Sequence, residues 1–192
     1  MKKPDDFDTA KAYGGYTPLP SGGYVCKIIG VDEVKSQKGK DMLKIALDIA
    51  EGEEAGRFMR EFKLDTRDYK KWPNSGIVHQ LVLDDKGNTN GGFKQFTNCV
   101  VDSNNGFQIV WGDGFCKCFK DKLIGVLFGR EQYVNRDGEL KWSTKPKFFK
   151  TVEQIRKGVF KVPEDKLVES GANKETPLPS GFGQLQDDDI PF

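Results

Sequence analysis

Met42-Leu43-Lys44-Ile45-Ala46-Leu47-Asp48-Ile49-Ala50 alternates without a break. In an extended chain Leu43, Ile45, Leu47 and Ile49 share one side, and Lys44, Ala46 and Asp48 share the other. That period of two predicts a strand buried on one face. A strand of this kind belongs to an antiparallel sheet with a core beneath it.

The flanking sequence extends the pattern. Tyr24 to Val34 is β-like, carrying Val25, Ile28, Ile29, Val31 and Val34. Lys35–Asp41 is a polar turn with Gly39 near its centre, so the two runs read as a hairpin. After the turn Glu51–Gly56, Arg57 to Leu64 reads as a third strand, with Phe58, Arg60 and Phe62 on one face. Tyr69–Pro73 reads as a short helix stopped by proline. Ile77–Leu83 fits helix or strand, and 84–92 is loop. Phe93, Phe96 and Val100 predict a short helix over 93–101, and 107–111 reads as a short strand. Leu123–Val134 and Glu139–Phe149 are strands joined by the hairpin turn Asn135-Arg136-Asp137-Gly138. Thr151 and Gln154 form a candidate capping box for a short helix that Gly158 stops. Three strands, a helix-bearing connection and two more strands is the OB pattern, although other small barrels and open β-sheets give a similar string. The expected fold is therefore mainly β: a five-stranded OB-type barrel with a partly helical insertion. It spans residues 23–162, after an extended lead-in at 1–22 and before a flexible acidic tail at 163–192.

Hydrophobic residues are 36% of the 192 and charged residues 31%, a globular mixture. No apolar run approaches the roughly 20 residues of a membrane-spanning helix. Met1-Lys2-Lys3-Pro4-Asp5-Asp6 leads into no apolar stretch, so a cytoplasmic location is expected. Cys26, Cys99, Cys116 and Cys118 read as free thiols, because a lone C-x-C with one histidine, His79, lacks a zinc ligand set. No phosphate loop, metal cluster or nucleophile motif is present, so neither catalysis nor a cofactor is expected. Net charge is +1, but it is unevenly spread. Residues 163–192 hold 7 acids and 2 bases, whereas 1–162 hold 22 acids and 28 bases. A basic body with an acidic tail suits a polyanionic partner better than the total suggests.

Aromatic residues alternate with cations along the second hairpin: Arg130, Tyr133, Arg136, Lys141, Trp142, Lys145 and Lys147. Flat rings take stacked bases and cations follow phosphates, which is the chemistry of single-strand binding without sequence readout. Tyr133 and Trp142, flanking the turn, are the best stacking candidates. Lys35, Lys38 and Lys40 in the first turn would supply a second wall, with Lys44, Arg57 and Arg60 on the strands. Trp72, beside Lys70 and Lys71, is a further candidate. Phe58, Phe62, Phe93 and Phe96 are assigned to the core.

The last six residues, Asp187-Asp188-Asp189-Ile190-Pro191-Phe192, combine an acidic run with a stiff apolar plug and a carboxylate. A partner would need an apolar pocket rimmed by cations. This end resembles the C-terminal tip of bacterial single-stranded-DNA-binding proteins. The resemblance implies that the tip recruits replication and recombination proteins such as helicases, primases, exonucleases or mediators. Leu19–Tyr24, Met42–Gly56 and Arg130–Gly138 resemble OB-fold proteins of this kind from phages and mobile elements. Residues 65–122 do not resemble the compact bacterial protein. The implied function is to coat single-stranded DNA in a bacterial cytoplasm. The rival is an adaptor that uses the tip to engage the same proteins without binding DNA. Finally, Thr17-Pro18-Leu19-Pro20-Ser21-Gly22 recurs as Thr176-Pro177-Leu178-Pro179-Ser180-Gly181, with no evident reason.

Overall fold

The computed structural model describes residues 17–135 and 137–168, together with Lys3. Most of the lead-in, Arg136 and the tail from residue 169, including Asp187–Phe192, lie outside the described residues.

The strands are β1 (Gly22–Lys35), β2 (Asp41–Ile49), β3 (Ile77–Leu81), β4 (Leu123–Val134) and β5 (Leu140–Lys150). They form one antiparallel five-stranded sheet in the order β3-β2-β1-β4-β5. β1 holds the two halves together. Its start, Gly22–Lys27, pairs with Phe128–Leu123 of β4, and Cys26–Lys35 pairs with β2. The register slips between Ile28 and Gly30. One extra residue there bends the strand, so a single β1 can serve neighbours that diverge.

The alternation read in β2 is realised: Leu43, Ile45, Leu47 and Ile49 are all buried in the main core. β4 contributes Ile124, Val126 and Phe128 to that core, and β5 contributes Phe149. Helix α2 (Gly91–Ser103) joins β3 to β4 and brings in Phe93, Phe96, Cys99 and Val100. The Asn90 side chain caps it by accepting from Gly92 N at 2.9 Å. The short α3 (Phe115–Cys118) adds Phe115, and Phe119 follows it into the core. A smaller cluster of Val25, Leu127, Val152 and Ile155 lies on the other face of the sheet, under α4 (Val152–Arg156). The capping box read at Thr151 and Gln154 is present.

Three expectations are corrected. Arg57–Leu64 is not a strand but helix α1. Phe58 and Phe62 sit two alternations apart, but they are also i and i+4, one helical turn. Only the surroundings choose between these periods. Gly56 turns the chain at φ 73°, and Asp48 Oδ1 accepts from Phe58 N at 2.9 Å, satisfying an orphan N–H of the first helical turn. Tyr69–Pro73 is not helical; a 3₁₀ turn, Asn74–Gly76, follows the proline and leads into β3. Residues 107–111 are irregular and not a strand. Of the ambiguous segment, Ile77–Leu81 is strand.

Past α4 the chain returns to the sheet. β1 begins opposite Phe128, which leaves that edge of β4 open beyond this point. Residues 163–168 occupy it. Lys166 bridges to Glu131 in parallel, Gln132 N donates to Lys166 O at 2.8 Å, and Lys166 N donates to Arg130 O at 2.9 Å.

Candidate functional site

The β4–β5 hairpin projects past β1, and its register fixes which side chains meet. Tyr133 lies opposite Lys141, and Trp142 lies opposite Gln132. Cross-strand partners share a face and neighbours along a strand do not. The two rings therefore point to opposite faces of the hairpin. Trp142 shares its face with Arg130, whose guanidinium lies 5.0 Å from the ring centroid. Closer to the middle of the sheet this face carries Thr144 and Phe128, both fully buried. Arg130 also pairs with Asp165 of the returning chain, through Nε at 3.2 Å and through its terminal nitrogen.

The opposite face carries Tyr133, Lys141, Lys145 and Glu131. Glu131 is mostly buried and pairs with both Lys145, at 2.6 Å, and Lys147. Burial pushes the Glu131 carboxyl up, but the two ammoniums outweigh it and hold it below the usual carboxylate range. Lys141 pairs with Glu139 at 2.9 Å. These lysines remain a quarter to a half exposed. The Lys141–Glu139 pair is exposed on both sides and worth little, so a phosphate can take the place of that carboxylate at small cost, whereas the mostly buried Glu131 keeps its two lysines.

The first turn is built on Ser36, which is buried. Ser36 N donates to Lys40 O at 2.9 Å, Gly39 N donates to Ser36 O at 2.9 Å, and Gly39 takes φ 77°. The turn holds Lys38 exposed at its tip. Lys35 pairs with Asp41 at 2.6 Å and Lys40 with Asp85 at 3.0 Å. Lys44, on the solvent face of β2, lies between Asp32 of β1 and His79 of β3. Burial, and then Lys44, hold the His79 imidazole below its ordinary pKa.

The two arginines of α1 have structural partners. Arg57 is 11% exposed, bonded to Glu54 at 2.9 Å, to Glu61 at 3.0 Å and to the Thr17 carbonyl. Arg60 donates to the Ala55 carbonyl. Trp72 is half-buried against the core, donates from Nε1 to Leu47 O at 3.0 Å and packs on Phe62 at 5.5 Å. Phe58, Phe93 and Phe96 are core as expected, while Phe62 is only half-buried.

Two exposed aromatics escaped the sequence reading. Tyr69 stands in a loop with Arg67, Lys70 and Lys71. Asp65 shapes that loop by accepting from the Arg67 side chain and from Lys71 N at 3.1 Å. The Arg67 hydrogen bond, then the backbone N–H groups, keep its carboxyl far below the ordinary range. The Tyr-Lys-Lys signal was visible but was absorbed into a supposed helix. Trp111 stacks on Phe115 at 5.1 Å beside a cavity of about 730 Å³. Asp32, Glu33, Asp41 and Asp113 line that cavity, with no Lys or Arg among the described residues lining it. Such a rim repels phosphate.

Cys26 and Cys99 are buried thiols. Burial pushes Cys99 up to about 11 and raises Cys26 as well, so both stay protonated at neutral pH. Among the described residues no helix is long and apolar enough to cross a membrane. The structure thus brings Arg130 and Trp142 together, puts Tyr133 and Lys141 behind them, and places Lys38 on the other turn; Arg57 and Trp72 are fastened into the body. No protein-family model matches the chain, and no curated protein matches it.

Proposed function

We propose that this chain binds single-stranded DNA without reading its sequence, on an OB-type barrel, and recruits replication or recombination proteins through Asp187–Phe192. The order β3-β2-β1-β4-β5 is that of an OB barrel cut between its third and fifth strands. The turn entering β3 packs against β5, which supports closure at the cut. A helix between the third and fourth strands also fits. In OB folds the β1–β2 and β4–β5 turns flank the oligonucleotide cleft. The first of these turns carries Lys38 and Lys40, whereas the second, 135–139, sets Arg136 against Asp137 and Glu139, and the cations of that hairpin lie on its strands as Arg130, Lys141, Lys145 and Lys147.

The observation that carries the reading is the Arg130–Trp142 pair at 5.0 Å. It offers a ring for a base and a cation for the neighbouring phosphate on one hairpin face. Lys145 and Lys147, held by Glu131, lie on the opposite face of the hairpin and act on the strand only through the local potential. A flexible polyanion with exposed bases satisfies both features, whereas a duplex hides its bases from the rings.

Titrating labelled oligo-dT at several salt concentrations tests this. Affinity is expected to fall with a slope of about −0.7 in log K against log salt per phosphate neutralised. Duplex of equal length is expected to bind more weakly. Equal affinity for the two would remove the stacking model. Binding of neither, with the tip still capturing partners, would leave the adaptor reading.

A further inference from the structure

The first Thr-Pro-Leu-Pro-Ser-Gly copy is not an idle linker. Leu19 is 1% exposed, seated in the main core. Three body side chains grip the backbone around it. Arg57 donates to Thr17 O, Thr144 Oγ1 to Leu19 O, and Tyr24 OH to Pro20 O at 2.9 Å. The segment joins no ladder until Gly22. Its recognition consists of one apolar plug and three carbonyls, all of which an identical hexapeptide supplies equally well.

That hexapeptide exists at Thr176–Gly181. The root of its tether is next to the slot. Lys166 N donates to Arg130 O, Arg130 lies opposite Thr144, and Thr144 holds Leu19. Two neighbouring-strand spacings of about 5 Å each separate root from slot. The eight steps from Val168 to Thr176 can span roughly 27 Å. Reach is therefore ample.

We propose that Thr176–Gly181 is an alternative occupant of this slot, docking within its own chain when Thr17–Ser21 leaves. Because the two copies have the same sequence and would offer the slot the same groups, the balance between them is set by their tethers. The first copy, continuous with β1, is the resident. The proposal is independent of nucleic-acid binding.

A thermal-unfolding cycle on the full chain tests it. Leu178→Ala alone is expected to leave Tm unchanged, because the first copy fills the slot. Leu19→Ala is expected to lower Tm by a small amount in the native background, since Leu178 replaces the lost plug. In the Leu178→Ala background the same substitution is expected to cost a further drop of roughly 4 °C or more. Should Leu19→Ala fail to fold, Leu19→Val gives the same cycle with a smaller cavity. An equal drop in both backgrounds overturns the proposal. So does a rescue that grows with protein concentration, because the segment would then come from a second copy of the chain.

Discussion

Trp72 and Trp142 each sit beside a lysine in sequence, and their surroundings give them different work. The Trp72 indole N–H is spent on Leu47 O and its ring on Phe62. Trp142 has Arg130 over one face and no place in the named core clusters. Trp72→Phe is therefore expected to lower stability by about 0.5–1.5 kcal/mol, the worth of a hydrogen bond, with little change in oligo-dT affinity. Trp142→Ala is expected to do the reverse, losing about 1–3 kcal/mol of affinity if a base stacks there. Denaturant melts and fluorescence titration of the two variants separate the roles; a Trp142→Ala variant that binds normally removes that ring from the site. The sequence shows both tryptophans as aromatic-next-to-lysine, because adjacency along the chain does not reveal what lies across it. The opposed faces of Tyr133 and Trp142 were similarly hidden. Facing depends on the register of β4 against β5, which the turn sets and composition does not.

At the scale of elements, β2 and the β4–β5 hairpin were legible because their periods admit one reading. α1 was not, since Phe58 and Phe62 satisfy both two-fold alternation and a helical turn. Asp48, ten residues upstream of Phe58, decides it from β2. That contact is tertiary and invisible to a local window. β3 carries a pH-dependent element of its own. His79 faces Lys44 across the β2–β3 ladder, and burial followed by that ammonium depresses its pKa. A depressed folded-state value means that the unfolded chain binds the proton more readily. Stability is then full above the unfolded imidazole value, near 6.5, and falls as pH drops towards the folded one. Tm is expected to decline between pH 7 and pH 5.5, and His79→Gln is expected to flatten that decline. An unchanged slope in the variant would assign the pH dependence to other groups.

At the scale of the whole molecule, the acidic end of the sequence divides into two parts with different consequences. Residues 163–168 are bonded to β4 and salt-bridged to Arg130. Removal of everything from Pro163 is expected to destabilise the hairpin by about 1–3 kcal/mol, for the two backbone hydrogen bonds lost at Lys166. Removal of Asp187–Phe192 alone is expected to leave the melt unchanged and to abolish partner recruitment. Oligo-dT affinity should then hold or rise slightly, with any rise fading as salt screens the competing aspartates. A melt that shifts on losing only the last six residues would give them a place in the fold. The shared strand β1 has a consequence for synthesis. β1, β2 and β3 can pair as soon as they leave the ribosome, but the first residues of β1 must wait for β4. β4 begins about 40 residues after β3 ends, and at 5–20 residues per second its arrival takes roughly 2–8 s. For that interval Val25 and Cys26 line an unpaired edge on the nascent chain. The newborn protein is therefore most open to chaperones, and to mispairing with its siblings on the same polysome, after β3 is made and before β4 emerges.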